Sequence, residues 1–299
     1  MHDFTYRKKL LEPALIRQLS QRSNKDATVR LIIHIALIGI GATMVWLTEF
    51  SWWLLPAWFF YGTVLMFLFS PLHECIHRTA FRNRTANDLV ARVIGFLIML
   101  PADYFRSFHF AHHRYTNDSK RDPELLTPKP SSFPQYLWAM CGLGAYWWVQ
   151  LRTIVRHSLG RISGDFIAES NHRTIILEAR LHLVLYLAVI GASILFETTI
   201  FLFYWLIPAI LGTVSLRLFL HAEHAGCELS DNMLRNTRTT LTNPAIKLLS
   251  WNMPFHCEHH AFPAVPFHQL PALHQHLKSH LAVVSNGYYR FHREFVDSV

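Results

Sequence analysis

Three short stretches concentrate imidazoles at helical spacing. His73-Glu74-Cys75-Ile76-His77, His109-Phe110-Ala111-His112-His113 and His256-Cys257-Glu258-His259-His260 place histidines three or four residues apart, where side chains leave one face of a helix. Neutral imidazole is a good ligand for iron, copper, zinc or nickel, and these eight histidines exceed what one tetrahedral zinc can use. With His224 there are nine, enough for two metals with positions left open for oxygen and substrate. The chemistry to expect is therefore that of a dimetal site, and the chain must bring three distant segments together to make it.

The elements available for that task are apolar. Hydrophobic residues make up 51% of the 299, charged residues only 16%, and nine are Trp, a balance that fits a membrane protein better than a soluble globule. Leu31 to Thr48 and Trp52 to Ser70, separated by Glu49-Phe50-Ser51, form one pair of spans. Leu181 to Phe196 and Ile200 to Leu220, separated by Glu197-Thr198-Thr199, form a second. At about 1.5 Å per residue each run approaches a hydrocarbon core of about 30 Å. Trp46, Trp52 and Trp53 fall where an interfacial aromatic belt sits. Leu89 to Leu100 is too short to span, and Phe133 to Val149 is interrupted by Gly142 and Gly144, so both read as interfacial or re-entrant helices; six spans result only if both cross.

The expected fold is an all-α integral membrane protein with four transmembrane helices in two hairpins and a cytoplasmic helical cap carrying a histidine-rich dimetal site. The whole chain, 1–299, reads as one domain: a basic arm at 1–30 with an amphipathic piece from Leu10 to Leu19, a hairpin at 31–70, a cytoplasmic or interfacial segment at 71–180, a second hairpin at 181–220 and the cap at 221–299. No signal peptide is expected in the arm, because no small-residue cleavage site follows an apolar core.

Charge fixes the orientation of this arrangement. With two hairpins, the Lys and Arg residues fall on the side of the termini and the middle segment, Arg217 standing near that end of the fourth span, while the far-side turns carry only Glu49 and Glu197. The positive-inside rule then predicts a multi-pass protein with both termini cytoplasmic. The net charge of +8 thus reads as topology, and no nucleic-acid partner is expected, since that role asks for a soluble basic fold. His73 and His77 follow the second span and His221 and His224 the fourth, so the clustered histidines share one membrane face. Around the third stretch, Asn243-Pro244 predicts a helix start. Pro254 and Pro263 bracket about two turns in which His256 and His260 face the same way and His259 is close enough to share that face.

Other histidines and the cysteines read as structural. His34 and His182 stand alone within spans and are expected to make interhelical hydrogen bonds. His268, His274, His276 and His280 fit the surface of a polar C-terminal helix, and His157 and His172 a basic loop. Cys75, Cys141, Cys227 and Cys257 form no C-x-x-C pair and are expected to stay reduced. Two rival functions remain. Residues 73–77 also satisfy H-E-x-x-H, the motif of a membrane zinc metalloprotease with Glu as general base, but that leaves the other two stretches unexplained. A non-enzymatic metal-binding or metal-transporting membrane protein needs ionisable residues along the spans, which offer almost none.

Together, His73-x-x-x-His77, His109-x-x-His112-His113 and His256-x-x-His259-His260 resemble the three histidine boxes of the membrane fatty acid desaturase family, including their placement after the first and second hairpins. Arg114-Tyr115-Thr116-Asn117-Asp118 and His260-Ala261-Phe262-Pro263-Ala264-Val265-Pro266 look like the family's flanking text, and the resemblance covers nearly the whole chain. It implies a further metal-binding histidine between the fourth span and the third box: His224, in Ala222-Glu223-His224-Ala225, with His221 as the weaker choice.

The resemblance also implies two iron ions, molecular oxygen as co-substrate, and a double bond introduced into the acyl chain of a fatty acid or lipid. A methylene has no acidic proton and no leaving group, so metal-generated oxidation is the chemistry such a substrate needs. Related hydroxylases, ketolases and decarboxylases acting on lipids or isoprenoids use similar boxes. Metal-bound histidine donates its other ring N–H to an oxygen, and Glu74, Glu223, Glu258 and Asp118, with Asp122 beyond, are the expected orienters. The sequence has no iron–sulfur cysteine pattern and no glycine-rich dinucleotide fingerprint, so an external electron donor, a ferredoxin or cytochrome b5-like protein, is expected on the basic face.

Overall fold

The computed structural model describes residues 10–126 and 130–299. The first nine residues of the expected arm and residues 127–129 lie outside the described residues. Helix α1 (Pro13–Leu19) precedes α2 (Asn24–Leu47), whose first turn is capped by the Ser23 hydroxyl accepting from the Asp26 N–H at 3.2 Å. The chain turns back through 48–53 into α3 (Leu54–Met66), which continues after a brief irregularity at Phe67–Leu68 as α4 (Phe69–His77). The middle segment holds α5 (Arg84–Leu97), α6 (Ala102–Tyr115), α7 (Phe133–Cys141) and α8 (Val149–Ser158). Then come α9 (Glu169–Leu195), a π-helical turn at Leu202–Leu206 and α10 (Ile207–His224). The remainder is α11 (Met233–Asn236), β1 (Thr239–Leu241), α12 (Pro244–Leu249), α13 (His256–Ala261), α14 (Leu270–Leu277), β2 (Val284–Asn286) and α15 (Tyr288–Val296).

Among the described residues, four helices are long and apolar enough to cross a membrane: Asn24–Leu47, Leu54–His77, Glu169–Leu195 and Leu202–His224. The number agrees with the hydropathy, but the helices outrun it. The third begins well before Leu181, because hydropathy marks only the apolar part of a helix whose polar beginning packs elsewhere. There the Glu178 carboxylate accepts the backbone N–H groups of Ala102 and Asp103 at 2.9 and 2.8 Å, tying α9 to the start of α6. The outward faces of α2 and α9 carry exposed Ile32, Ile35, Val184 and Ile190, and Phe50, Trp52 and Trp53 are exposed in the turn after α2. Neither Leu89 to Leu100 nor Phe133 to Val149 makes a helix of crossing length. The second breaks at Gly142, where φ is +72° and an added Cβ would lie 2.4 Å from Thr213 Cγ2.

Two contacts fix how the long helices meet. At the crossing of α3 and α10, a Cβ on Gly62 would lie 1.8 Å from the Pro208 carbonyl oxygen, and one on Gly212 would lie 1.9 Å from the Gly62 carbonyl. The backbones therefore touch directly, the mode of association available where lipid removes the hydrophobic drive between helices. Beside this crossing, Thr63 and Ser215 hydroxyls pair at 2.9 Å, and Trp58 and Tyr61 donate to the carbonyls of Phe203 and Tyr204. In the second contact, His34 on α2 donates Nε2–H to the Val64 carbonyl at 2.9 Å and faces Trp251 Nε1 at 3.4 Å, the expected interhelical bond. His182 instead lies 3.5 Å from Tyr186 Oη of its own helix and meets Phe96 edge-on.

The two three-residue strands depart from an all-helical expectation. They pair in parallel, Thr239 opposite Val284, and are too short to show the alternation that marks a strand in sequence. Asn243 caps α12 as anticipated, accepting from the Ile246 N–H at 2.9 Å. His157, expected in a loop, is buried in α8 and edge-on to Tyr104. All four cysteines are free.

Candidate metal centre

The eight histidines singled out by spacing, with the His224 that the resemblance implies, gather into two adjacent groups. His73, His77, His109, His113 and His259 form one, and His112, His224, His256 and His260 the other; within each, every ring offers a nitrogen and these nitrogens lie within 4.8 Å of one another. His221 is placed outside both, its ring edge-on to Phe295 with centroids 4.5 Å apart.

Helix geometry explains the division. Residues four apart share a face, so α4 delivers His73 and His77 to the first group, α6 adds His109 and His113, and α13 brings His256 and His260 to the second. Sequence neighbours on a helix diverge by about 100°. The adjacent pairs His112-His113 and His259-His260 therefore each place one ring in each group, with His113 and His260 stacked at 4.0 Å between centroids. His259 thus does not share the face of His256 and His260; a helix face is too narrow for two consecutive residues.

The spacing fits shared metal ions. Nε2 atoms lie 2.8 Å apart in His109 and His113, 3.1 Å in His113 and His259, and 3.1 Å from His224 to both His112 and His256. Two imidazole nitrogens bound at about 2.1 Å and at right angles are about 3.0 Å apart. The Nε2 atoms of His73, His77 and His260 are buried with no hydrogen-bond partner among the described residues. Each such atom costs about 1–3 kcal/mol, a penalty a bound cation removes. The donor set is all imidazole: Cys257 Sγ lies instead 3.3 Å from the Met233 carbonyl.

Oxygens orient the second group. His112 Nδ1 lies 2.9 Å from Asp122 Oδ1, and that carboxylate is itself held by the N–H groups of Asn117 and Glu124 at 2.8 and 3.0 Å. His224 Nδ1 is 3.2 Å from the Asn236 carbonyl and His260 Nδ1 is 3.2 Å from the Thr116 hydroxyl, whereas His256 Nδ1 lies 3.3 Å from Glu223 Oε1 without making a hydrogen bond to it. In the first group, Nδ1 of His73, His113 and His259 is buried without such a partner among the described residues.

Of the expected orienters, Asp122 bonds a clustered ring and Glu223 approaches one, while the others do not reach the two groups. Asp118 is turned away: its side chain is 27% exposed and takes the Arg121 guanidinium and the Lys120 N–H. Glu74 accepts from the Thr79 hydroxyl at 2.8 Å and the Phe267 N–H at 3.2 Å, bracing α4 against the turn before α14. Glu258 accepts from the Thr239 hydroxyl at 2.7 Å and from His274 Nδ1 at 2.5 Å, tying α13 to β1 and α14. His274, expected at the surface, is therefore only 13% exposed in its side chain. Thr116 and Asn236 carry no sequence signal of this role. Thr116 stands in the stretch that follows the second box, whereas Asn236 acts through its backbone carbonyl, which no side-chain pattern announces.

Burial and neighbouring imidazoles hold His109, His113, His256, His259 and His260 well below the ordinary histidine range, so these rings stay neutral. Neutral rings are what a metal requires. For His112 burial also lowers the value, but Glu124 and Asp122 outweigh it and the net shift is upward. Asp122→Asn removes the charge that orients this ring and is expected to weaken metal retention about 10–100-fold, read by competition against a chelator. Unchanged retention would mean that Asp122 has no such role. Beside both groups lies a cavity of about 280 Å³ reached by His73, His109, His224 and His256 and walled in part by Phe69, Phe105 and Met253.

Comparison with known proteins agrees with this arrangement. The chain is 29% identical over 145 residues to the sn-1 oleoyl-lipid 12-desaturase of Anabaena variabilis, covering 45% of this chain and 40% of that protein. A longer match, 23% identical over 284 residues, links it to the protein of the same name from a Synechocystis species, covering 88% of this chain and 79% of the relative. The sphingolipid delta(4)-desaturase DES1 of Drosophila melanogaster is 26% identical over 235 residues, 75% of this chain and 65% of the relative. The strongest local matches thus span less than half of the relatives' own length, 40% for the Anabaena protein and 27% for that of Arthrospira platensis. The family model for fatty acid desaturases, however, matches residues 50–292, a range that holds all nine clustered histidines. The chain belongs to the fatty acid desaturase family.

Proposed function

We propose that this chain is an oxygen-dependent diiron oxidoreductase that introduces a double bond into the acyl chain of a fatty acid or lipid. The observation that carries the reading is the gathering of nine imidazoles into two adjacent groups at metal-ligand spacing beside a cavity with apolar walls. His73, His77, His109, His113 and His259 would hold one iron and His112, His224, His256 and His260 the other. Bound iron supplies, with molecular oxygen and two electrons, the oxidising power that an unactivated methylene requires. The balance is simple: two hydrogens of the chain, two electrons and two protons reduce one oxygen molecule to two waters. The electrons come from a separate donor, a ferredoxin or cytochrome b5-like protein.

The chain's own residues would position rather than react. Asp122, Thr116 and the Asn236 carbonyl fix rings of the four-histidine group, and the aromatic wall aligns an alkyl chain against them. In the topology that goes with this reading, the four long helices form two hairpins, the termini and the histidine-bearing cap are cytoplasmic, and 1–299 is a single domain. The lipid-facing apolar residues of α2 and α9 and the one-sided distribution of Lys and Arg support it. The zinc protease reading fits poorly: His73 and His77 are grouped with three further histidines, and the Glu74 carboxylate is engaged by Thr79 and Phe267.

Fatty-acid profiling of cells with and without the protein, by mass spectrometry that locates double bonds, tests the activity. New unsaturated acyl chains are expected. An unchanged acyl profile alongside oxidised isoprenoids or sterols would move the assignment to a hydroxylase or ketolase.

A further inference from the structure

The cavity beside the histidines has polar wall residues that the oxidation itself does not use. Arg217 on α10 lines it, and so does Gln150 on α8. Arg217 donates Nε–H to the Ala139 carbonyl at 3.2 Å. Among the described residues no carboxylate lies within ion-pair distance of its guanidinium; Glu124, also on the cavity wall, acts on it from farther away. Arginine keeps its charge in proteins, and a charge withdrawn from water toward an apolar wall is costly unless it is paired. Gln150 carries the matching deficit: its Oε1 is buried with no hydrogen-bond partner among the described residues.

An alkyl chain ending in a carboxylate or a carbonyl meets the need of the guanidinium, and that of Gln150 once its amide is turned so that the nitrogen takes the unpartnered position. The guanidinium donates to its oxygens, and the Gln150 amide, which can present either its oxygen or its nitrogen, completes the contact. We propose that Arg217 and Gln150 form the subsite that holds the oxygen-bearing end of the substrate chain. Arg217 precedes His224 by seven residues on one helix, about 10 Å of axis. Anchoring one end of the chain there sets, by counting carbons, which methylene meets the histidine groups. What happens to that methylene rests on the desaturase reading; the binding itself does not.

Binding to the full-length, iron-loaded chain in detergent, followed by tryptophan fluorescence, tests the proposal with three probes: oleic acid, methyl oleate and octadecene. The acid, the ester or both should bind at least about tenfold more tightly than the hydrocarbon. Arg217→Leu should lose that preference while binding the hydrocarbon as before. Gln150→Leu should weaken it, and Arg217→Lys should retain part of it. Iron content equal to wild type in each variant shows that the site is assembled. Tighter binding of the acid than of the ester assigns the subsite to a free carboxylate; equal binding assigns it to the carbonyl of an esterified lipid. Equal affinity of the wild type for all three probes, or a preference that survives Arg217→Leu, overturns the proposal. In turnover, Arg217→Leu should convert one double-bond position into a spread of positions. A wild type that binds selectively yet forms no double bond would refute the desaturase reading and leave the subsite standing.

Discussion

His113→Ala is expected to abolish oxidation, whereas His221→Ala is expected to retain most of it. His113 Nε2 stands 2.8 Å from His109 and 3.1 Å from His259, and its ring is stacked on His260 of the neighbouring group. Removing it takes a ligand from one group and the packing partner of a ligand in the other. Residues that merely orient ligands are worth about 10–100-fold in affinity or activity, so loss of a ligand at this junction is expected to exceed that range. His221 is the comparison, because it stands on α10 three residues before His224 and lines the same cavity, yet packs against Phe295 and joins neither group. The measurement is turnover of a defined acyl substrate by variants purified side by side. Comparable losses for both would place His221 in the centre and contradict the grouping.

Gly212→Val is expected to have a large effect on folding. Even a single Cβ at this position would lie 1.9 Å from the carbonyl carbon and oxygen of Gly62, and the obstruction is backbone, which cannot rotate away. Overpacking of this kind costs beyond the usual 1–3 kcal/mol, about 4 kcal/mol or more. The crossing also sets the distance between α4 and α10, hence between His73, His77 and His224. The variant should therefore show a depressed thermal midpoint in detergent and poor iron retention together. Gly39→Val on α2 is the matched control, since nothing lies within 4 Å of an added Cβ there. Equal midpoints for the two variants would mean that α3 and α10 can separate without consequence.

These expectations show what the sequence could and could not convey. Spans and boxes are legible because each depends on a periodic or compositional signal within one segment: long apolar runs, and imidazoles four apart on a helix. The assignment of rings to two groups depends on how α4, α6, α10 and α13 cross, and it overrode the local expectation for His259. Asp118 and Asp122 are equivalent in sequence, but a turn after α6 directs Asp118 to Arg121 and places Asp122 on His112. His274 reads as a surface residue until Glu258 is seen buried against it. In each case the deciding partner comes from a distant part of the chain, or, for Asp118, from turn geometry that composition does not encode.

Elemental analysis of the purified wild-type chain is the most direct test of the diiron centre. Two groups of five and four imidazoles should hold about two irons per chain, both lost in parallel with activity on chelation and both restored by ferrous iron. A single zinc per chain, with activity indifferent to iron, would contradict it.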